Sequence, residues 1–309
     1  MSDRAGVRPG VLGAARPMVA RLVSIISVRC ELGECPVWDE RGGCLWWTDI
    51  QSRVLYRWNQ IADRVDSFRA PERIGSFGLT EEPDGLICAF ESGFWRFEPE
   101  SGTCDRLGLT GRGREGCRMN DGRVDRSGYF WAGSMVEVDS APSGRGALYR
   151  YDGNGRFSIH LDEITIANGI CWSPDGGLMY FTDSPTGRIQ RYEMSASGLS
   201  DGIDFAAGLQ GAHPDGAVVD AEGCVWSAQW GRAAVLRLSP GGELEAVLGV
   251  PCPQPTCVAF GGPDHRTLFV TTARTGLSQS QLAEYPDSGA VFVYETDIQG
   301  IAEPICTVL

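Results

Sequence analysis

The sequence repeats one pattern six times along its length, and this repetition constrains the fold more than any other feature. Each copy has a short apolar strand, a turn rich in Asp, Pro, Gly or Glu, and a second strand rich in Trp, Tyr, Phe and Val. The first turn residues of the six copies follow one another at intervals of 42 to 48 residues and are Asp39, Glu82, Asp125, Ser173, Asp220 and Gly262. Further alternating segments lie between the copies, which makes about four strands per unit.

Four-stranded units of this length, repeated six times, predict an all-β fold, a six-bladed β-propeller around a central channel. A two-sheet sandwich also contains many short strands, but the regular spacing argues against it. We expect one propeller domain over residues 21–309, preceded by a disordered tail over residues 1–20. The candidates for strands that close the last blade against the first are RLVSIISV near the N-terminus and GAVFVYET with ICTVL at the C-terminus.

The first strand of each propeller blade lines the channel, so residues at one offset from the turn lie at about the same height around the axis. Five positions before the turn, the six copies carry Glu34, Phe77, Asn120, Asn168, Asp215 and Cys257. Each Asn-Gly or Asp-Gly could simply be a turn, because these dipeptides are common in turns. Four oxygen donors in register, two of them carboxylates, would repel one another without a cation, so together they predict a metal-containing channel.

The donor types limit the metal without identifying it. All-oxygen coordination suits Ca²⁺, Mg²⁺ or Mn²⁺, and carboxylates, carbonyls and water also bind Zn²⁺ or Fe²⁺, so we expect one divalent ion of open identity. Near this ring, Arg118 and Glu137 suit recognition of a polyhydroxylated or anionic ligand, unless they form a surface ion pair. His213 either lines the mouth of the pocket or precedes a turn.

Composition narrows the partners and the compartment. A formal charge of −13 repels phosphate backbones, so we expect no nucleic-acid partner. No apolar run is long enough to span a membrane. The 11 cysteines are an odd number and lie mostly in apolar strands, as expected for reduced thiols in a cytoplasmic protein. Complete blades leave no long free edge, which favours a monomer or a weak homodimer.

The chain resembles the SMP-30/gluconolactonase/regucalcin-like family of six-bladed propellers, and in particular bacterial aldonolactonases such as xylonolactonase or arabinonolactonase. The resemblance covers nearly the whole chain after residue 20 and is carried by LGECPVW (32–38), RMNDGRVDRSGYFWAGSM (118–135), GALYRYD (146–152), ANGICWSPDGGLMYFTDS (167–184), HPDGAVVDAEGCVWSAQWG (213–231) and CVAFGGPDHRTLFVTTAR (257–274).

The resemblance also implies roles for individual residues. The metal ligands would be Glu34, Asn168 and Asp215, and the substrate contacts would be Arg118, Asn120 and Glu137, with Asn120 kept in both roles. Asp183 would lie beside the metal, and His213 at the pocket. Cys35 departs from the family pattern, because it stands where Gly often follows the metal glutamate, and its side chain is expected to narrow the pocket.

The activity implied by the resemblance is metal-dependent hydrolysis of a sugar lactone, an aldonolactone, to the aldonic acid, with Asp215 as general base. No G-x-S-x-G motif for a serine nucleophile occurs in the sequence. Two alternatives stay open: a calcium-binding regulatory protein without turnover, and a phosphotriesterase-like hydrolase. The loops over residues 71–78, 111–117 and 138–146 are expected to select the sugar.

Overall fold

The computed structural model describes residues 20–83, 85–109, 116–137, 143–195 and 198–309. Their strands form six sheets of antiparallel neighbours, one for each repeat of the sequence, so the all-β six-bladed propeller is confirmed. The predicted tail over residues 1–20 lies outside the described residues except for Ala20, which begins the first strand. No helix in the described ranges is long and apolar enough to cross a membrane.

Short turns connect the strands. The strands of the first half are β1 (Ala20–Ile26), β2 (Gly33–Asp39), β3 (Cys44–Asp49), β4 (Val54–Asn59), β5 (Arg64–Arg69), β6 (Ile74–Leu79), β7 (Leu86–Phe90), β8 (Gly93–Glu98), β9 (Thr103–Leu109), β10 (Cys117–Val124), β11 (Phe130–Val136), β12 (Gly146–Gly153) and β13 (Arg156–Ile164). Those of the second half are β14 (Ala167–Trp172), β15 (Leu178–Asp183), β16 (Arg188–Ser195), β17 (Gly198–Leu199), β18 (Ile203–Ala207), β19 (His213–Val219), β20 (Val225–Trp230), β21 (Ala234–Leu238), β22 (Leu244–Gly249), β23 (Pro255–Gly261), β24 (Thr267–Thr272) and β25 (Val291–Thr296). A 3-10 turn spans Ser184–Thr186, and a short helix, α1, spans Gln279–Glu284.

Blades one to five are built from consecutive strands, namely β2–β5, β6–β9, β10–β13, β14–β18 and β19–β22. In blade four the outer position is shared by β17 and β18, which both pair with β16. Blade six combines β23, β24 and β25 with β1, whose residues pair antiparallel with β25 from Ala20 opposite Thr296 to Ile26 opposite Val291. This sheet joins the two ends of the propeller, as predicted for RLVSIISV and GAVFVYET.

The third segment predicted to close the ring, ICTVL, does not add a strand to blade six, so this prediction is wrong. Cys306 forms an isolated parallel bridge with Thr80 of blade two. Glu303, from the same terminal stretch, forms an ion pair with the buried Arg123 of blade three, with an Oε2–Nη1 distance of 3.0 Å. The edge of β25 is already paired with β1, so the C-terminal stretch contacts blades two and three instead.

Apolar side chains fill the joints between adjacent blades, and six core clusters lie one at each joint. At the joint of blades six and one, the rings of Trp38 and Phe269 stack with centroids 5.7 Å apart. At the joint of blades two and three, Phe94 and Phe130 meet edge to face at 5.9 Å. Since each sheet is covered only by its neighbours, the fold is stable as a closed ring.

Two of the turn residues that mark the sequence repeat are buried aspartates with the same function in the fold. The Oδ1 atom of Asp125 accepts the backbone N–H groups two and four residues later, at 2.8 and 3.0 Å. Its Oδ2 atom accepts the indole N–H of Trp131 at 2.7 Å. Asp220 likewise accepts the backbone N–H groups two and four residues later and the indole N–H of Trp226, six residues later. In blades three and five, these carboxylates therefore connect the first turn to a buried tryptophan of the strand that follows it.

We predict that Asp125→Ala lowers the free energy of unfolding by about 2–3 kcal/mol, because it leaves the buried indole N–H of Trp131 and two turn amides without their charged acceptor. Urea denaturation followed by tryptophan fluorescence measures this loss. The control is Asp175→Ala, which removes an exposed aspartate from the corresponding turn of blade four and should leave the midpoint nearly unchanged. Equal midpoints for the two variants would contradict the structural role of Asp125.

Candidate functional site

Each inner strand contains a register shift, a β-bulge, on the side of the channel. In four blades the shift begins at the predicted ring residue or at the residue before it, and these ring residues are Glu34, Asn120, Asn168 and Asp215. A bulge re-aims the side chain at that point of a strand. In blade two the shift comes earlier, between Ile74 and Ser76, and Phe77 packs in the core between blades one and two.

A cavity of about 400 Å³ lies where these strands meet. It is lined by seven of the eight residues predicted from the sequence, namely Glu34, Arg118, Asn120, Glu137, Asn168, His213 and Asp215. Apolar side chains such as Met135, Ile166 and Trp230 complete its wall. The volume falls in the range of small-molecule sites, about 300–1,000 Å³. The structure thus brings together residues that are up to 181 positions apart, from Glu34 to Asp215.

Two buried carboxyl groups, Glu34 and Asp215, and the half-buried Asp121 lie close enough in this region for their charges to interact. Burial raises the pKa of Glu34 well above its ordinary value, and the negative charges of Asp215 and Asp121 raise it further. Burial likewise raises the pKa of Asp215, again with a contribution from Asp121. The sequence interpretation missed Asp121, whose carboxylate accepts the N–H groups of Gly122 at 2.9 Å and Ile170 at 3.0 Å. The site therefore concentrates negative charge away from water.

A chain of hydrogen bonds fixes the two ring amides. Arg118 Nη1 donates to Asn120 Oδ1 at 2.7 Å, and Asn120 Nδ2 donates to Asn168 Oδ1 at 3.0 Å. Asn168 Nδ2 donates to Ser184 Oγ at 2.9 Å, and that hydroxyl donates to the carbonyl of Pro214 at 2.7 Å. The chain begins at a guanidinium, which only donates, and ends at a carbonyl, which only accepts. Both amides therefore have one orientation that satisfies the chain.

The residues at the ring fit a divalent cation. In the described part of the chain no three His, Cys, Asp or Glu side chains group around a metal position, so a third protein donor must be of another type. The amide of Asn168 qualifies, because its Oδ1 atom accepts one hydrogen bond, from Asn120, and the residue lines the same cavity as Glu34 and Asp215. Such an all-oxygen set suits hard cations, and a bound cation would neutralise the like charges that raise both carboxyl pKa values. Asn120 fits this role less well, since its Oδ1 atom accepts from the positively charged guanidinium of Arg118, which would repel a cation bound there.

Arg118 and Glu137 form one wall of the cavity, with Arg118 Nε donating to Glu137 Oε1 at 3.1 Å. The side chain of Arg118 is only 4% exposed, which contradicts the alternative of a surface ion pair. Burial alone would raise the pKa of Glu137, but a hydrogen bond from Arg73 and the charges of both arginines outweigh it and lower the pKa. Arg73 was not predicted from the sequence.

Asp183 is the predicted residue that does not line the cavity. Its carboxylate accepts the backbone N–H groups of Thr165 at 3.0 Å and Ile166 at 2.8 Å, just before β14. Asp183 therefore holds the segment that leads into Asn168, and the next residue, Ser184, is the one that lines the cavity.

His213 and Cys35 lie in different surroundings. His213 lines the cavity, and its Nδ1 atom lies 3.4 Å from the carbonyl oxygen of Ser184. Cys35 does not line it, because its sulfur is buried and accepts the N–H of Phe77 at 3.4 Å. The expectation that Cys35 narrows the pocket is therefore wrong. Its φ of +49° lies in the left-handed region that favours glycine.

Comparisons with known proteins find relatives that match most of the chain. The family model described as the SMP-30/Gluconolactonase/LRE-like region matches residues 32–274. A 6-deoxy-6-sulfogluconolactonase of Pseudomonas putida is 38% identical over 278 residues, which are 89% of this chain and 94% of that protein. An L-arabinolactonase of Azospirillum brasilense is 35% identical and covers 90% of this chain and 93% of its own length. The solved structure of a calcium-binding protein, regucalcin, from Agrobacterium tumefaciens superposes with a TM-score of 0.87 at 29% identity, over 93% of this chain and 98% of that one.

We predict that Asp215→Asn stabilises the metal-free protein. Because the pKa of Asp215 is raised in the folded state, the wild type loses stability as the pH rises from the ordinary carboxyl range through the raised pKa. The variant lacks this loss, so its melting temperature in EDTA should exceed that of the wild type by several degrees at pH 7.5 and by less at pH 5.

Saturating CaCl₂ is the control for this prediction, since a ligand stabilises the state that binds it and the wild type should then become the more stable protein. Scanning calorimetry of both proteins in EDTA and in CaCl₂ gives all four values. An Asp215→Asn protein that melts below the wild type in EDTA at pH 7.5 would show that the buried carboxylates do not repel each other.

Proposed function

Since the chain belongs to the SMP-30/gluconolactonase/LRE-like family, we propose that it is a hydrolase that opens a sugar lactone to the corresponding acid with the help of one divalent cation. The observation that carries the proposal is the meeting of Glu34, Asn168 and Asp215 with the polar wall of Arg118 and Glu137 in one cavity of about 400 Å³. Relatives that are 38% and 35% identical carry the names of sugar lactonases.

The cation would be held by Glu34, Asn168 and Asp215. When bound, a divalent cation supplies Lewis acidity, which polarises a carbonyl and makes water easier to deprotonate. The donor atoms favour Ca²⁺, Mg²⁺ or Mn²⁺ and also allow Zn²⁺ or Fe²⁺.

Asp215 is the proposed general base. Its Oδ1 atom accepts the N–H of Gly216 at 3.0 Å, which leaves Oδ2 to take a proton from the attacking water. The oxygen of that water forms a bond to the carbonyl carbon, the ring C–O bond breaks, and the ring oxygen receives a proton as it becomes a hydroxyl. Asp215 can return its proton at that step, so the carboxylate is regenerated.

Arg118 and Glu137 are proposed to orient the substrate. Arg118 donates through Nε and Nη1 to protein acceptors, and among the described residues its Nη2 group has none. The two Nη2 hydrogens can therefore bind lactone oxygens, while Glu137 accepts a sugar hydroxyl. Asn120 acts by holding Asn168, since both of its N–H groups are donated to Ala167 and Asn168.

We predict that Asp215→Asn and Glu34→Gln each lower kcat/KM for the best lactone by a factor of about 10³ or more, because each removes a charge from the reacting centre. Acid release from D-glucono-1,5-lactone, D-xylono-1,4-lactone and L-arabinono-1,4-lactone measures the rates, with Asp175→Asn as an exposed control. EDTA should abolish the activity, and one of the five divalent ions should restore it. Wild-type rates in either cavity variant would exclude the mechanism.

A calcium-binding protein without turnover is the second candidate, which is supported by the similarity to the structure of a calcium-binding protein, regucalcin. Both candidates predict a divalent cation at the ring, but only the hydrolase predicts acid release above the spontaneous rate from any of the three lactones. A phosphotriester such as paraoxon, tested in the same assay, tests the third alternative, a phosphotriesterase-like hydrolase.

We further propose a cytoplasmic location, which the 11 free cysteines support because oxidising compartments pair thiols.

A further inference from the structure

A second arginine, Arg73, holds the wall of the cavity that carries Glu137, although Arg73 itself does not line the cavity. It directly precedes β6, which takes up most of the predicted 71–78 loop and leaves residues 71–73 as the connecting segment. Residues 111–115 and 138–142 of the other two such loops lie outside the described residues. Arg73 Nη1 donates to Glu137 Oε1 at 2.5 Å, and Nη2 donates to Oε2 at 2.7 Å. This bidentate pair links blade two to the end of β11 in blade three.

Arg73 is held in turn by Glu91 at the end of β7. Its Nε atom donates to Glu91 Oε2 at 2.9 Å and its Nη2 atom to Oε1 at 2.8 Å. The backbone N–H of Glu91 also donates to the carbonyl of Arg73 at 2.9 Å. The side chain of Arg73 is 16% exposed, against 33% for Glu137. A planar guanidinium bound on two sides has little freedom, so it sets the plane of the Glu137 carboxylate.

The hydrogen bonds at Glu137 leave little room for a ligand. A carboxylate offers about four lone-pair positions. Oε1 accepts from both Arg73 and Arg118, and Oε2 accepts from Arg73. With respect to the described residues, one position therefore remains, on Oε2. Because the arginines lower the pKa of Glu137 despite its partial burial, this oxygen belongs to an ionised group at neutral pH and can only accept.

We propose that Arg73 is a positioning residue for substrate specificity, which holds Glu137 so that its remaining lone-pair position binds a single hydroxyl of the lactone. The inference rests on the proposed function for the reaction that reports it. The charges of Arg73 and Arg118 are matched by Glu91 and Glu137, so this wall favours an uncharged sugar over an anionic one.

The first test is Arg73→Met, which should raise KM for the best of the three lactones about tenfold and change kcat by less than about threefold, because binding is lost equally in the ground state and the transition state. Arg73→Lys keeps the charge without the fork and should restore only part of the affinity. The matched control is Arg57→Met, since Arg57 is 21% exposed and also binds two carboxylates, Asp66 and Glu100, at 2.8 Å. An equal KM change in Arg57→Met, or none in Arg73→Met, overturns the inference.

A series of monodeoxy lactones tests the single hydroxyl. With the wild type, the compound that lacks the hydroxyl bound by Glu137 should show a KM raised about tenfold. For that compound alone, Arg73→Met should have the same KM as the wild type, because the contact between the hydroxyl and Glu137 is already absent. The same Arg73→Met effect on every member of the series would mean that Arg73 acts on the cavity in general, and would refute the inference.

Binding without turnover separates this inference from the proposed function. The ligand 1,5-anhydro-D-glucitol has the hydroxyls of gluconolactone and no carbonyl, so its binding, measured by calorimetry, needs no reaction. If the wild type hydrolyses no lactone but binds this ligand about tenfold more tightly than Arg73→Met does, the proposed function fails and the inference stands. Equal binding by both proteins, or no binding by the wild type, overturns the inference.

Discussion

The close approach of the inner strands at glycine is the constraint on which the rest of this molecule depends. A Cβ atom on Gly216 would lie 2.3 Å from the sulfur of Cys257 in the next blade, and one on Gly122 would lie 2.5 Å from Ser76 Oγ. These glycines follow Asp215 and Asp121 directly. Asp215 and the pair of Asn120 and Asp121 therefore stand where neighbouring strands come close to one another, and the Asp-Gly pairs that look like turns lie inside strands.

That proximity has an electrostatic cost, which explains the chemistry of the site. Glu34 and Asp215 are carboxyl groups withdrawn from water, and burial together with nearby negative charge, that of Asp121 included, raises the pKa of both. The chain of hydrogen bonds that begins at Arg118 fixes the orientation of the Asn168 amide, which lines the same cavity. A bound cation would neutralise this repulsion, so the proposed affinity for metal and the predicted lower stability of the metal-free protein would have one cause.

Much of the arrangement could be predicted because the repeat is local in sequence. A fixed offset from the turn identifies Glu34, Asn120, Asn168 and Asp215, and the alternating strands identify the blades. Contacts between loops of different blades have no such register. The other copies of the repeat have no arginine at the offset of Arg73 and no serine at that of Ser184. The contacts of these two residues with Glu137 and Asn168 are therefore visible only in the structure.

The other differences also have local physical reasons. Cys35 turns away from the cavity because its backbone takes a left-handed φ, which no side-chain pattern indicates. The helix α1 is only six residues long, too short for an apolar period, although the capping box between Ser278 and Gln281 marks its start. The segment ICTVL has the composition of a strand, but its place beside β25 is taken by β1.

The most direct test of the account is the position of a cation in the protein. Anomalous diffraction from a crystal soaked in MnCl₂ should show one strong peak within about 2.0–2.6 Å of oxygen atoms of Glu34, Asn168 and Asp215. A crystal with no peak at the ring, or with its strongest peak bound by other residues, would contradict the account.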